Sequence, residues 1–254
     1  MNILAIETST ETASIALRSD SHTALTTFDA RGLLTESLAP QVYKLLADND
    51  VQAQDIDAIV VGKGPGSYTG LRVGMVFAAV TAWTLGKHYY EVPTLLATAI
   101  SVLKEGHSAL SHSAVSSWPN GSWPKGKSEV AVGTANAYRH EIYARVVKQK
   151  PDGIIDEGQD EIMEAADFSK LVQTQAADTA VTVLGFGCET LQASGAPPER
   201  VRLMKEAPLS GAEALLMTLD VLGMDRFRSD AHRVSPTYLR KSSAELQRGN
   251  STRG

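Results

Sequence analysis

The densest cluster of chemistry-bearing residues is a glycine-rich run, Gly62-Lys63-Gly64-Pro65-Gly66-Ser67-Tyr68-Thr69-Gly70, set between two apolar segments. Small residues at a helix start leave backbone N–H groups pointing outward, and such groups favour anions. The same residues also suit a tight turn that lets a helix approach a sheet closely, and composition does not separate the two readings. The run is not a P-loop, because no Gly-Lys-Ser/Thr follows at the required spacing. Nor is it the dinucleotide fingerprint, since Gly70 stands one residue too far beyond Gly64 and Gly66. A nucleophile elbow fails as well: Pro65 and Thr69 stand where glycines would flank Ser67. Near the start, Glu7 is followed by Thr8, Ser9 and Thr10, hydroxyls that can either bind phosphate or close a β-turn. The six histidines are scattered and the single cysteine, Cys188, adds no ligand set, so no metal site is expected. Cys188 follows a strand-like run and reads as a small buried packing residue.

The elements that must carry these residues follow from periodicity. Asn2–Ile6, Ser14–Leu17 and Ala24–Phe28 read as strands in an antiparallel meander. Glu36–Ala47 reads as a helix with Leu38, Val42, Leu45 and Leu46 on one stripe. Ile56–Val61 is a buried strand that runs into the glycine loop, and helices over Leu71–Leu85 and Thr94–Leu103 complete an α/β unit. Between Gly106 and Ser128 the pattern collapses into a Ser/Pro/Gly-rich stretch carrying SWPNG and SWPKG, read as a flexible insertion. A second α/β unit follows. Its strands fall at Glu129–Thr134, Glu141–Val147 and Val181–Leu184, the last ending in Gly185-Phe186-Gly187, and its helices at Met163–Val172 and Gly211–Leu222. Ser210 supplies an N-cap for the last helix. The domain reading is therefore 1–105, an N-terminal lobe; 106–128, the insertion; 129–240, a second lobe; and 241–254, a polar tail. Helix 210–223 is able to pack back on the first lobe.

The helix over Leu71–Leu85 carries only Arg72, Thr81 and Thr84 as polar side chains, and they never form a polar face. Gly74, Ala78 and Ala82 form a row of small residues that lets another backbone come close. The helix is either buried between layers of its own chain or part of an interface with another subunit, shared with the stripe on helix 36–47. The interface reading carries the expectation that Ala78→Arg abolishes association while leaving the chain folded.

Composition narrows the class. With 254 residues, 43% apolar and 21% charged, the chain has enough apolar content for one large domain or two small ones. One cysteine gives no internal disulfide. The longest apolar run, Val73–Trp83, falls short of a membrane span, and the start lacks a basic n-region; a cytoplasmic chain without membrane contact is expected. Net charge is −5, against a self-sufficient nucleic-acid binder. From Arg226 onward, however, seven basic residues face only Asp230 and Glu245. Such a basic tail can touch phosphate or simply be solvated.

Three blocks together resemble a known family. Ile3-Leu4-Ala5-Ile6-Glu7-Thr8-Ser9-Thr10, Gly64-Pro65-Gly66-Ser67-Tyr68-Thr69-Gly70-Leu71-Arg72-Val73-Gly74 and Pro236-Thr237-Tyr238-Leu239-Arg240 look like the TsaB (YeaZ) family in order and spacing. The resemblance implies an α/β, actin-like and sugar-kinase-like ATPase (ASKHA) fold of two related lobes with mixed sheets. It implies a non-catalytic scaffold or activator that binds a TsaD-like subunit, with a TsaE-like ATPase, in threonylcarbamoyl transfer to the adenosine 3′ of the anticodon in tRNA. The tRNA would be met only indirectly, through the complex. It further implies that the two N-lobe helices form the subunit interface, with Leu38, Val42, Leu45, Val73, Gly74, Ala78 and Ala82 as contacts, and that the chain forms a homodimer when alone. Gly64, Pro65, Gly66 and Gly70 become a structural loop. Glu7, Thr8, Ser9, Gly185 and Gly187 are the nucleotide-binding candidates.

No cofactor is required by the chain on this reading, with ATP or ADP possible at the complex interface. TsaD's paired metal histidines would fall at Thr94 and Thr98, which cannot replace imidazole, and this also argues against a metalloprotease. Glu7 stands where Asp is common, and Asn136-Ala137-Tyr138 replaces the Asp-Ala-Arg of many members. The alternative is an autonomous ATPase or small-molecule kinase of the same fold. It needs a general base where the chain offers Asn136, and an amide cannot serve.

Overall fold

Ile3–Glu7 (β1) is apolar on both faces, and a strand of that kind needs cover on both sides. In the computed structural model, which describes residues 1–20, 22–105, 129–137, 140–150, 155–193, 200–207 and 209–239, β1 lies at the centre of a five-stranded sheet. Thr12–Arg18 (β2) pairs with it antiparallel and Thr23–Asp29 (β3) pairs with β2. Ala58–Gly62 (β4) runs parallel to β1, and His88–Val92 (β5) parallel to β4. The order is β3-β2-β1-β4-β5.

A second sheet repeats the plan. Glu129–Asn136 (β6) takes the central place and Glu141–Gln149 (β7) pairs with it antiparallel. The third place is split between Ile155–Asp156 (β8) and Asp160–Glu164 (β9), both along β7. Ala180–Gly185 (β10) and Val201–Met204 (β11) extend the other side in parallel. Two sheets of one topology, three antiparallel strands followed by two parallel ones, make the duplicated actin-like fold. This bears out the fold class, although the repeat is not visible residue by residue.

Because side chains alternate across a strand, β1 sends Leu4 and Ile6 to one face and Ile3 and Ala5 to the other. The first face is covered by Leu34–Asp48 (α1) and Tyr68–Leu85 (α2), through Leu38, Val42, Leu45, Met75, Ala78 and Ala82. The second face meets Thr94–Glu105 (α3) and Gly211–Leu222 (α6), which lie between the two sheets. Their Ile100, Leu103, Leu215 and Leu219 pack against Ala131, Val147, Leu184 and Met204 of the second sheet, so one apolar core spans both lobes. The backbone of α3 comes close enough to β6 that a Cβ on Gly133 would lie 2.5 Å from the Leu95 carbonyl oxygen. Ala165–Ala176 (α4) and Gly187–Ala193 (α5) cover the outer face of the second sheet with Phe168, Val172 and Leu191.

Helix α6 leaves the second sheet after β11 and packs on β1, β2 and β4. Its start is held by a capping box in which Ser210 Oγ accepts from the Glu213 N–H and the Glu213 carboxylate accepts from the Ser210 N–H. Arg18 on β2 donates twice to the Asp220 carboxylate on α6, at 2.8 and 2.7 Å. After a short 3-10 turn at Met224–Phe227 the chain forms an extended strap along the first lobe. Arg228 bridges to Tyr90, and the Ser229 N–H donates to the Tyr89 carbonyl at 2.9 Å.

Several local expectations are corrected. Met163 and Glu164 belong to β9, not to the helix expected from Met163; pairing with Ile142 and Glu141 of β7 holds them extended, and α4 begins at Ala165. The expected strand end at Gly185-Phe186-Gly187 gives way to α5 at Gly187. The Trp-Pro stretch at 106–128 and the tail at 241–254 lie outside the described residues, as does Tyr138. No helix among the described residues is long and apolar enough to cross a membrane.

Candidate functional site

Two places gather the residues singled out by sequence. The first is the C-terminal end of β1, where Glu7 is only 2% exposed. One carboxylate oxygen accepts from the Ser9 N–H at 2.6 Å, and the other accepts from the Thr94 hydroxyl at 2.8 Å. Thr94 Oγ1 also accepts from the Gly64 N–H at 3.2 Å, joining β1, the glycine loop and α3 through one hydroxyl. Thr8 donates its hydroxyl to the Gly70 carbonyl at 2.8 Å. Ser9 Oγ is buried without a hydrogen-bond partner, while its carbonyl accepts from the Ser67 N–H at 2.7 Å.

The glycine loop is filled from within. A Cβ on Gly66 would lie 2.4 Å from the Ser9 carbonyl oxygen, and one on Gly70 2.0 Å from that of Thr8. Gly64 has a φ of +89° and precedes a cis peptide bond to Pro65, a conformation that residues with a side chain rarely adopt. Several loop amides are already used: Lys63 N–H goes to the Val92 carbonyl, Gly70 N–H to the capping Ser67 Oγ, and Leu71 N–H to the Ser67 carbonyl. Of the two readings left open by composition, the geometry matches the close-packing turn.

These residues do not fit a nucleotide at Glu7. The carboxylate is closed off by Gly62, where a Cβ would fall 1.8 Å from Glu7 Oε2, and the Cβ and Cγ of the same side chain are covered by Gly211 at the start of α6. Gly185 and Gly187, the other nucleotide candidates, sit at the equivalent turn of the second lobe. Their near neighbours are Thr134 and Phe168, and the Gly187 N–H donates to Thr134 Oγ1 at 2.8 Å. The five candidates thus fall into two sets, each packed against its own surroundings. Thr98, at the second position compared with a metal histidine, donates its hydroxyl to the Thr94 carbonyl. No group of three or more His, Cys, Asp or Glu among the described residues is placed to hold a metal ion.

The second place is the outer side of α1 and α2, and here the interface candidates are corrected. Leu38, Val42, Leu45, Gly74, Ala78 and Ala82 are buried in the chain's own core, with Ala78 and Ala82 at 0% exposure. The small residues face inward because the C-terminal end of the central strand comes close: a Cβ on Gly74 would lie 2.0 Å from Thr8 Oγ1. Val73 is half-buried. What α2 turns to the surface is a different row, Tyr68, Arg72, Val76, Val80 and Trp83, with Val76 and Val80 at 51% and Trp83 at 61% exposure. Tyr43 on α1 is also exposed, at 66%. In the sequence the row is three bulky apolar residues at i, i+4 and i+7 from Val76, with nothing to say that they face outward.

The chain is similar to known proteins in sequence and in fold. Residues 30–115 match the family described as TsaD: tRNA N6-adenosine threonylcarbamoyltransferase. The tRNA threonylcarbamoyladenosine biosynthesis protein TsaB of Bacillus subtilis is 45% identical over 86 residues, covering 34% of this chain and 38% of that protein. The TsaB of Escherichia coli is 34% identical over 111 residues, covering 42% and 44%. The chain thus spans less than half the length of these curated relatives in alignment. The structure of YeaZ from Pseudomonas aeruginosa superposes with a TM-score of 0.72 at 22% identity, covering 94% of this chain and 99% of that one. That likeness is one of fold.

Proposed function

We propose that the chain is a member of the TsaB/YeaZ family and, on that premise, a non-catalytic scaffold subunit in threonylcarbamoyl transfer to tRNA. Its partner is a TsaD-like subunit that carries the transfer chemistry, joined by a TsaE-like ATPase. The tRNA, modified at the adenosine 3′ of the anticodon, is held mainly by that partner.

The observation that carries the reading is the exposed apolar row on α2. Val76, Val80 and Trp83 stand on one helix face, each more than half exposed. A contiguous surface of this kind marks an interaction site. The sealed carboxylate of Glu7 supports the same reading from the other direction, because a kinase or ATPase of this fold needs an acid open to its metal-nucleotide. A nucleotide in the assembly would therefore sit at the interface with the partner and not on Glu7. When alone, the chain covers the row with a second copy of itself.

The test is threonylcarbamoyl transfer to tRNA, assayed with the purified TsaD-type and TsaE-type subunits of the same organism, with and without this chain. We expect product only when this chain is present together with the TsaD-type subunit, and none from this chain alone. Product from the chain alone, or equal yield without it, would overturn the scaffold role.

A further inference from the structure

The exposed row on α2 is framed at both ends by the strap that follows α6, residues 228–239. At one end Tyr238 lies against Tyr68, with ring centroids 5.1 Å apart and planes tilted by 34°. The Arg72 guanidinium stands 4.1 Å over the Tyr68 ring and donates through Nε to the Tyr238 hydroxyl at 3.0 Å. At the other end the Trp83 ring meets His232 edge-on at 5.5 Å. Along its length the strap is pinned to neighbouring elements. Ala231 and Val234 pack on the outer core of the first sheet, the Thr237 N–H donates to the Lys63 carbonyl at 2.8 Å, and Leu239 packs with Leu95 and Tyr143.

We propose that this strap is part of the docking surface, with Tyr238 as a positioning residue that presets Tyr68 and Arg72 as its anchor. The inference rests on the reading of α2 as the partner face. Tyrosine, tryptophan and arginine are the residues in which interface energy concentrates, and side chains held in place before binding lose less freedom on association. Arg72 is the single charged residue of α2, and among the described residues its terminal nitrogens have no hydrogen-bond partner. The partner that fits presents an apolar surface to Val76, Val80 and Trp83, and a carboxylate or carbonyl acceptor to Arg72. A second copy of this chain covers the apolar part but brings no acid from its own α2. In a two-fold contact the same surface supplies both sides, so an acceptor for Arg72 would have to come from outside α2. A subunit of different sequence is the better occupant.

The experiment measures affinity of the full chain for the purified TsaD-type subunit by calorimetry, alongside the thermal midpoint of each variant. Tyr238→Ala is expected to weaken binding about tenfold or more while shifting the midpoint by no more than about 4 °C. Tyr238→Phe, which keeps the ring and loses the hydroxyl, restores most of the affinity. Arg72→Ala, an exposed helix substitution, reads the same anchor without touching the strap's packing and should weaken binding to a similar degree. Val80→Arg controls for the underlying reading. If Val80→Arg abolishes binding while Tyr238→Ala and Arg72→Ala both bind within twofold of the native chain, the strap inference is overturned and the partner face stands. Should Val80→Arg bind like the native chain, the partner face itself is wrong and the strap inference falls with it.

Discussion

Gly211, the first residue of α6, stands against Glu7 so closely that a Cβ there would come within 2.5 Å of the Glu7 Cγ. The Glu7 side chain therefore lies against the start of α6, and its carboxylate is completed by Ser9 and Thr94. This corner is a joint that fastens β1, α3, the glycine loop and α6 to one another, with the Ala212 N–H donating to Ser14 Oγ nearby at 2.9 Å.

The joint predicts a coupled pair of substitutions. Gly62→Ala should lower stability by about 1–3 kcal/mol, as inserting a methyl group into a filled site does. Glu7→Ala should cost a similar amount, about 1–3 kcal/mol, by leaving the Ser9 N–H and the Thr94 hydroxyl without their acceptor. Because the first clash is with the Glu7 side chain itself, the double variant should lose clearly less than the sum. Urea denaturation of the four proteins measures this, and strict additivity would show that the two residues do not share the joint.

The two faces of α2 predict opposite fates for substitutions two residues apart. Ala78→Arg, which the sequence alone suggested would spare the fold, instead forces a charge into a fully buried position and should leave the chain unfolded or aggregated. Val80→Arg, on the exposed row, should keep the native circular dichroism spectrum and thermal midpoint and lose the TsaD-type partner. Size-exclusion chromatography with light scattering separates the cases. A folded, monodisperse Ala78→Arg protein would contradict the burial described.

How much of this was legible beforehand depended on whether a feature was local. The strands β1 to β4 announced themselves through apolar runs bounded by turn residues, and the glycine loop through its composition. The facing of α2 was not legible, because a helix from Leu71 to Leu85 with apolar residues all round has no periodic direction. Its orientation is set by where Thr8 and the sheet stand, and the small residues turn toward them. Strand β9 escaped because Asp160–Glu164 is short and part-exposed, with its polar and apolar residues in runs and not alternating, and is extended only through its pairing with β7. Closure over Glu7 could not be read at all, since Gly211 arrives there from the far end of the sequence. Tyr238 and Arg72 both stand in the blocks that carry the family resemblance, but nothing in their spacing said that they touch.

Cys188 should be chemically silent in the native chain. It is fully buried, and its Sγ lies 3.3 Å from both the Val183 and Met204 carbonyl oxygens. Burial pushes the thiol up to about 11, so little thiolate exists near neutrality. A disulfide-exchange reagent at pH 8 should report almost no reaction until denaturant is added, then one thiol per chain. Stoichiometric labelling of the native chain within seconds would place Cys188 at the surface.

Glu91 gives the fold a pH dependence with a definite sign. It is buried at the end of β5, and burial holds its carboxyl above the usual glutamate range. Opposing that are the Tyr89 hydroxyl, the Lys63 charge, and the Ser235 backbone and Ser229 side chain of the strap. A carboxyl with a raised pKa in the folded state binds its proton more tightly there than in the unfolded chain. Its contribution is fully present below about pH 4, where the unfolded carboxyl titrates, and is lost as pH rises through the folded value. Glu91→Gln cannot titrate and keeps an acceptor for the strap. The difference in stability between the native chain and Glu91→Gln should therefore move against the native chain as pH rises from about 4 toward about 7. Urea midpoints at several pH values across that window give the measurement. A difference that stays constant, or that moves in favour of the native chain, would mean that the strap's hydrogen bonds outweigh burial and hold Glu91 ionised.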